Sequence, residues 1–313
     1  MEIRHLREGH SDGTAVVATL GTFDGVHVGH QAVLGRTVME ARRRAVPSAV
    51  VTFAGHPAEV LRPESAPLLL TDLDQRLDLI AACGLDTAYL VDFDEEVAGW
   101  SAEKFMEDAL VGQLGAVALV VGPDAHFGNR REGNLEFLRA AGPGLGLEVV
   151  LVDEAREMPL TLESISSTAI RRALRGGDVA QAARMLGRLY AVSGEVIMGD
   201  QRGRTIGFPT ANISLSKDRA WPSDGVYAGW FERADGSSHP CAVNIGRRPT
   251  FHLHAECSLL EAHLIGFDAD LYGESCTVSF VDFLRSERRF DGVESLVAQL
   301  KDDIAETRRV LHC

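Results

Sequence analysis

Short apolar runs alternate with amphipathic segments in the first half of the chain. The apolar runs predict strands at residues 16–20, 49–53, 88–91, 117–121 and 147–152. Every position of 117–121 is apolar, as expected for a strand that is covered on both faces of a parallel sheet. The intervening segments predict helices over 30–43, from a cap at Thr71 or Asp72, and from Ser101. This alternation predicts a doubly wound α/β domain, whose ligands bind at the carboxyl ends of the strands.

The pattern changes after residue 171. A short helix is predicted over 178–186, and turn residues then separate strands such as 191–197, 226–231, 257–264 and 276–283. A final helix over 292–311 carries Val293, Leu296, Val297, Leu300 and Ile304 on one face. We therefore predict a closed β-barrel with a packed C-terminal helix, and domains at residues 1–183 and 184–313.

Composition narrows the class of protein and its partners. A chain of 313 residues, 45% hydrophobic and 24% charged, is typical of two globular domains. The net charge of −14 argues against nucleic acid or an anionic membrane as a partner, although local amides and arginines can still hold phosphates. No signal-peptide pattern is visible, and the five cysteines form no CxxC pair. These features predict a cytoplasmic protein, either a monomer or a homo-oligomer.

The segment GRTIGFPTANI, residues 203–213, combines a glycine-rich turn with two polar side chains. Gly203 and Gly207 allow a sharp turn that brings backbone amides close to a ligand. Thr210 and Asn212 share one face of an extended segment, and their neutral oxygens suit a hydrated Mg²⁺ that also contacts nucleotide phosphates. The alternative is a tight hairpin in which both side chains satisfy their own backbone.

The segment GTFDGVHVGH, residues 21–30, leads from the first predicted strand into the first helix. Helix N-termini bind phosphate through unpaired amides. His27 and His30 can point toward one ligand and donate hydrogen bonds to phosphate oxygens that gain charge during transfer. A second phosphate contact is predicted at another helix start, from Ser166, Ser167, Thr168 and Arg171. Ordinary helix caps are the alternative for both segments.

Both segments resemble motifs of the nucleotidyltransferase superfamily, and their fuller wording resembles the FAD synthetase module of bifunctional prokaryotic riboflavin kinases/FAD synthetases. The C-terminal half resembles the kinase module of the same family. It carries GFPTAN at 207–212, DGVYAG at 224–229, NIGRRPTF at 244–251, LEAHL at 260–264, DLYG at 270–273 and FLRSE at 283–287. Six blocks in the family's order make chance agreement negligible.

The resemblance implies two consecutive reactions. Riboflavin and ATP give FMN and ADP in the barrel, and FMN and ATP give FAD and pyrophosphate in the α/β domain, with Mg²⁺ on the triphosphate. In the barrel, Glu261 is implied as the base, Thr210 and Asn212 as metal ligands, Gly199, Gly203 and Gly207 as the loop over the phosphates, and Arg285 as a flavin contact. In the α/β domain, His27 and His30 are implied as catalytic, with binding residues Gly21, Phe23, Gly29, Asp124 (toward flavin), Ser166, Ser167, Thr168 and Arg171.

Two departures from the family pattern keep other functions open. Gly55 stands where the TFxPHP motif has proline, and Ala125 stands where the VGxDFxFG block has an aromatic residue. A riboflavin kinase with a weakened or retuned adenylyltransferase is one alternative, and a non-catalytic flavin-binding protein is another. Retention of Glu261 argues against the second, because a binding protein has no need of a base.

Overall fold

The computed structural model describes residues 1–6, 13–152, 165–199, 201–214, 216–247 and 258–313. The chain forms two compact units, Met1–Ile165 and Ser166–Cys313. The predicted domain boundary at 183/184 therefore lies inside the second unit. Residues 248–251 of the NIGRRPTF block, and Cys257 at the start of a predicted strand, lie outside the described residues.

Within its described part, the first unit has a six-stranded parallel sheet in the order β1-β4-β3-β2-β5-β6. The strands are β1 (Glu2–His5), β2 (Val16–Leu20), β3 (Ser48–Phe53), β4 (Thr87–Val91), β5 (Ala116–Val121) and β6 (Glu148–Leu151). The helices are α1 (Val28–Arg44), α2 (Pro57–Leu61), α3 (Leu73–Ala82), α4 (Glu95–Ala98), α5 (Ala102–Lys104, continuing as a π-helix over Phe105–Gln113) and α6 (Leu135–Ala141).

Helices cover both faces of this sheet. Along β2, Val17 packs in a cluster with Val33 of α1, whereas Ala18 packs in another with Phe105 and Leu110. Successive strand residues face opposite sides, so the strand is buried on both. The predicted doubly wound domain is thus confirmed, and its strand order reverses between β2 and β5, where ligands bind in such folds.

Two features of this sheet differ from the sequence prediction. The edge strand β1 was not predicted, because its four residues EIRH are all exposed and carry no apolar pattern. Val117 is 37% exposed although its strand reads as fully buried. The pairing of β5 with β2 shifts register at this point, so that Val16 and Val17 pair with Ala116 and Ala118. Val117 is the extra residue of a bulge, which leaves it unpaired.

The second unit begins with two helices, α7 (Ser167–Arg175) and α8 (Val179–Leu186), and continues as a closed barrel. Within the described residues the barrel order is β10-β11-β8-β7-β12-β9. The strands are β7 (Tyr190–Ile197), β8 (Ala211–Ser214), β9 (Gly225–Arg233), β10 (Ser238–Arg247), β11 (Ser258–Leu264) and β12 (Ser275–Arg285), with a short helix α9 (Arg202–Thr205) and a C-terminal helix α10 (Val293–Leu311). The predicted barrel with its C-terminal helix is confirmed.

Helix α10 packs less closely than its sequence predicts. Val293 is 56% exposed, which corrects its assignment to the packed face. Leu296, Leu300 and Ile304 of the same face are half-buried, because they line an open cavity beside the barrel. The buried positions of α10 are Asp303, Thr307 and Leu311.

Among the helices that the structure describes, none combines the length and the apolar character needed to cross a lipid bilayer.

Candidate active sites

The loop after β2 brings His27 and His30 together at the start of α1. His27 is the N-cap residue and is 6% exposed. Its Nδ1 accepts a hydrogen bond of 3.2 Å from the backbone N–H of His30. A neutral imidazole that accepts at one nitrogen carries its proton on the other, so the neutral His27 ring has its N–H at Nε2. His27 therefore does cap the helix, and this hydrogen bond favours the tautomer in which Nε2 is a donor.

The two histidine rings are stacked, with centroids 3.5 Å apart and an interplanar angle of 20°. The Phe23 ring packs edge-on against His30, 5.2 Å away. Burial, together with the neighbouring His27 ring, lowers the pKa of His30 well below its usual range. His30 is consequently neutral at pH 7, and its buried Nδ1 has no hydrogen-bond partner among the described residues.

The loop holds two non-glycine residues in the left-handed region, Phe23 at φ 49° and Val26 at φ 39°. Such conformations persist where surrounding contacts impose them. Here the buried Asp24 accepts hydrogen bonds from the backbone N–H groups of Leu70 and Thr71, at 2.9 and 3.0 Å, and from the Thr71 hydroxyl at 3.2 Å. The Thr71 hydroxyl in turn accepts from the backbone N–H of Gly25 at 3.1 Å.

Arg76 of α3 also stabilises this loop through hydrogen bonds. It is 2% exposed and donates to the carbonyl oxygens of Thr22 (3.3 Å), Phe53 and Ala54 (3.3 Å). These carbonyls lie at or just after the ends of β2 and β3, so one guanidinium joins the carboxyl ends of the two strands. Burial lowers the pKa of Arg76, and the Asp24 and Asp72 carboxylates oppose that shift.

The remaining predicted residues of this unit lie near the same sheet edge. A Cβ on Gly29 would come 3.2 Å from Nδ1 of His27, and one on Gly21 would come 3.2 Å from the Phe23 ring. Small residues at both positions therefore let these rings pack against the loop. Asp124 follows β5 and is exposed. Ala125 is half-buried against the apolar core.

The predicted phosphate contact at 166–171 belongs to the second unit. Ser166 is the N-cap of α7, and its hydroxyl accepts from the backbone N–H of Ala169 at 3.1 Å. Ser167 is half-buried, Thr168 is exposed and Arg171 is buried. The capping alternative is thus realised for Ser166, whereas Thr168 keeps an exposed side chain.

One row of residues crosses the outer wall of the barrel. In the strand registers Asn212 pairs with Glu261, Glu261 with Asn244, and Asn244 with Val226. Paired residues on adjacent strands point to the same face about 4.8 Å apart. All four line a cavity of about 400 Å³, which is within the size range of small-molecule sites.

Asn212 lies at the polar end of this row. Its side chain is 6% exposed, and its Oδ1 is buried without a hydrogen-bond partner among the described residues. A Cβ on Gly199 would overlap the Asn212 amide group, so glycine at 199 makes room for this side chain. A buried acceptor without a partner is costly, and a cation or donor from a ligand would satisfy it.

The turn before Asn212 is closed by backbone hydrogen bonds. The N–H of Phe208 donates to the carbonyl of Gly203 at 2.8 Å, and a Cβ on Gly203 would overlap the Phe208 carbonyl. Gly207 has φ 86° and is exposed. Thr210 lines the cavity with Gly203, whereas Gly207 is not among its lining residues.

His263 supports this turn. Its Nδ1 is 2.7 Å from the carbonyl oxygen of Pro209, to which it donates, and its ring lies 5.7 Å from that of Phe208. This hydrogen bond therefore connects β11 to the turn that precedes Thr210.

Arg285 forms a bidentate ion pair with Asp303 of α10, at 2.8 and 2.6 Å. Asp303 is 4% exposed and also accepts from Gln299 at 3.0 Å. The guanidinium lines the cavity, but its fork is bonded to α10. Arg285 thus attaches the C-terminal helix to β12, and this helix supplies much of the apolar wall of the cavity. The apolar lining residues include Phe290, Leu296, Leu300 and Ile304.

Two families match successive parts of the chain. Residues 10–169 match the FAD synthetase family, and residues 186–311 match the riboflavin kinase family. The bifunctional riboflavin kinase/FMN adenylyltransferase of Escherichia coli (strain K12) is 38% identical over 96% of this chain and 94% of its own length.

The chain belongs to the bifunctional riboflavin kinase/FMN adenylyltransferase family. Proteins of that name from Pseudomonas fluorescens (38% identity, 98% of this chain, 96% of the relative) and Bacillus subtilis (strain 168) (36% identity, 94% and 92%) are similar over a comparable range. The crystal structure of a Streptococcus pneumoniae protein described as a macrolide-efflux protein has a TM-score of 0.87 and 31% identity, covering 98% of this chain and 99% of that one.

Family membership confirms the resemblance that the motifs predicted. The full-length relatives carry both activities in their names, so a kinase with a weakened adenylyltransferase and a non-catalytic flavin-binding protein are not favoured. The roles of the individual site residues stay predictions.

Several residues in these sites have no functional role in the sequence prediction. Asp24, Thr71 and Arg76 stabilise the histidine loop, while Asn244 and Asp303 help to form the cavity. Asn244 stands in a family block that the sequence displays, so the motif alone could have indicated it. Asp24 likewise stands in the GTFDGVHVGH segment, whereas the contacts of Thr71, Arg76 and Asp303 join residues that are distant in the chain.

Proposed function

We propose that the chain makes flavin cofactors in two steps, one in each site. The barrel transfers the γ-phosphoryl group of ATP to riboflavin and gives FMN and ADP. The histidine site transfers the adenylyl group of a second ATP to FMN and gives FAD and pyrophosphate. The row formed by Asn212, Glu261 and Asn244 carries this proposal, because it joins a buried acceptor, a carboxylate and an amide in one cavity.

In the kinase step, the terminal hydroxyl of riboflavin attacks the γ-phosphorus and loses its proton. Glu261 accepts this proton, since a hydroxyl becomes an effective nucleophile only as a base removes the proton in the transition state. The bond between the γ-phosphorus and the oxygen that bridges it to the β-phosphorus breaks, and ADP leaves. His263 supports the nearby turn through Pro209 and takes no proton in this account.

The residues at the polar end of the row fit Mg²⁺. The Oδ1 of Asn212, which has no partner in the described part of the chain, and the hydroxyl of Thr210 are neutral oxygen ligands of the kind that Mg²⁺ accepts alongside phosphate oxygens and water. When bound, the ion supplies charge neutralisation of the triphosphate.

In the adenylyl step, the FMN phosphate attacks the α-phosphorus of ATP, and pyrophosphate leaves. This phosphate is already largely ionised near neutral pH, because its second pKa is about 6, so no general base is required. His27 donates from Nε2, the nitrogen that its cap hydrogen bond leaves protonated. A donor held in place beside a helix N-terminus stabilises charge that develops on the transferring phosphate.

The family resemblance supports the smaller parts of the proposal. Gly21, Phe23 and Gly29 shape the nucleotide loop, Ser166, Ser167, Thr168 and Arg171 hold a phosphate, Asp124 contacts the flavin, and Gly199, Gly203 and Gly207 shape the loop over the kinase triphosphate. Cys83, Cys241, Cys276 and Cys313 are free thiols, as suits a reducing cytoplasm.

Incubation with riboflavin, ATP and Mg²⁺, followed by chromatography of the flavins, tests the proposal. We expect FMN to form first and FAD to follow, and FAD to form directly when FMN is supplied. Failure to form either product would contradict the proposed function, and FMN without FAD would contradict its second step.

A further inference from the structure

Glu287 is a second carboxylate of the kinase cavity, and the proposed proton transfer does not use it. It lines the same cavity as Glu261. A Cβ on Gly246 of β10 would overlap the Glu287 carboxylate and would lie 3.6 Å from Nδ2 of Asn244. The absence of a side chain at 246 therefore lets this carboxylate lie against the strand, close to the Asn244 amide.

The surroundings of Glu287 favour a neutral hydrogen-bond donor as its partner. Burial raises the pKa of Glu287, and the carboxylates of Asp224 and Glu261 raise it further, while Arg285 opposes them. Arg285 is already in a bidentate pair with Asp303. A hydroxyl group donates to a carboxylate and forms a stronger bond than between neutral partners.

The row across the barrel has the same chemical order as riboflavin. Along the row, Asn212 provides a polar acceptor, Glu261 a base and Asn244 an amide. Val226 begins the apolar part. Each strand lies about 4.8 Å from the next. Riboflavin has a terminal hydroxyl, then the secondary hydroxyls of its ribityl chain, and then an aromatic ring system. With the terminal hydroxyl at Glu261, the secondary hydroxyls come to the level of Asn244 and Glu287.

We propose that Glu287, beside Asn244, binds secondary hydroxyls of the ribityl chain and so selects flavins that carry a polyol. This inference rests on the proposed riboflavin kinase function. The apolar side chains of Phe290, Leu296 and Leu300 then contact the ring system. These contacts bind any flavin, whereas Glu287 distinguishes the chain attached to it.

A pair of substrates separates this role from a structural one. Riboflavin is compared with a flavin whose ring nitrogen carries an unbranched 5-hydroxypentyl chain, which keeps the terminal hydroxyl and lacks the secondary ones. A hydrogen bond to a charged group corresponds to roughly a 10–100-fold effect. Glu287→Ala should therefore lower kcat/KM for riboflavin by about 10–100-fold and change that for the analogue less than about 3-fold.

Glu287→Gln provides the conservative variant, since it keeps an oxygen acceptor and removes the charge. We expect a smaller loss, about 3–10-fold, again on riboflavin alone. Glu232→Ala is the matched control, because Glu232 is an exposed carboxylate of β9 outside the cavity. It should leave both substrates unaffected. FAD formation from supplied FMN takes place in the other unit and should be unchanged in each variant, and near-UV circular dichroism reports the integrity of the barrel.

Equal losses on the two substrates, or no loss on either, would overturn the assignment of Glu287. If Glu287→Ala does not fold, the Glu287→Gln variant decides by the same comparison. Failure of the proposed function is a separate result: in that case the wild-type protein forms no FMN from riboflavin at all.

Discussion

The two sites differ in how the chain builds them. The histidine site comes from one continuous segment, residues 21–30, and a second segment, 70–76, stabilises it through Asp24, Thr71 and Arg76. The kinase row takes one residue from each of several strands, and their registers bring these residues together. The reactive residues of a local motif can therefore be identified in the sequence, although the residues that stabilise the motif are seen only in the fold. For a row of residues across several strands, the sequence does not show even which residues lie side by side until the strand register is known.

The sites also differ in how the backbone makes room for function. The histidine loop holds Phe23 and Val26 in left-handed conformations that buried hydrogen bonds maintain. The kinase site instead uses glycines at 199 and 246, whose missing side chains admit Asn212 and Glu287. Gly21 and Gly29 also make room in the histidine loop, so the two sites differ chiefly in the left-handed conformations and buried hydrogen bonds of that loop.

The largest expected effect separates the two activities. Glu261→Ala should lower riboflavin phosphorylation by about 10²–10⁴-fold, the usual contribution of a positioned base. FAD formation from supplied FMN should stay near the wild-type rate, because the histidine site is in the other unit. A kinase rate within a few-fold of wild type in steady-state assays would remove Glu261 from the mechanism.

His27→Ala and His30→Ala should do the reverse. Each should lower FAD formation from FMN by about 10²-fold, a typical loss for one donor to developing charge, while FMN formation persists. The loss should fall on turnover more than on the KM for ATP. Adenylylation at the wild-type rate in these variants would mean that the HVGH segment only caps the helix and takes no part in catalysis.

The boundary between the units can be tested with two fragments. The predicted domain 184–313 should phosphorylate riboflavin alone, but it lacks α7 and the start of α8, and with them the fully buried Leu174 and Val179. Because burial of such side chains contributes about 1.5–3 kcal/mol each, a fragment 166–313 should be more stable in urea by at least about 2 kcal/mol. Equal stability of the two fragments would mean that α7 and the start of α8 do not stabilise the barrel.

The smallest effect concerns pH. The pKa of His30 is lowered in the folded state, so below about pH 6.5 the unfolded chain binds a proton that the native chain does not. Stability from this residue is present above that pH and is lost as the pH falls. Between pH 7.5 and 5.5 the wild type should therefore lose more unfolding free energy than His30→Gln, as measured by urea denaturation at the two pH values. Equal losses would mean that His30 titrates normally despite His27 and Phe23 around it.

Much of the fold follows from the hydrophobic pattern. Strand β2, the Asp72 and Ser101 caps, and helix α8 with Asp178 as its cap lie where the sequence predicts them. The exposed strand β1 and the bulge at Val117 escape prediction, because edge exposure and register shifts leave no periodic signal.

The candidate sites divide in the same way. The motifs identify His27, Glu261 and Asn212 directly. The sequence does not reveal that Arg76 reaches three carbonyls, or that Arg285 binds Asp303, because each contact joins residues that are distant in the chain. Arg285 is predicted as a flavin contact, yet its guanidinium is bonded to α10.

Complementation between two variants, each lacking one of the two activities, tests the central claim most directly, namely that two separately built sites act in sequence through free FMN. Glu261→Ala and His27→Ala are incubated with riboflavin, ATP and Mg²⁺, alone and mixed, and FAD is measured by chromatography. The account predicts little FAD from either variant alone and near wild-type FAD from the mixture. FAD formation by Glu261→Ala alone, or no FAD from the mixture, would contradict it.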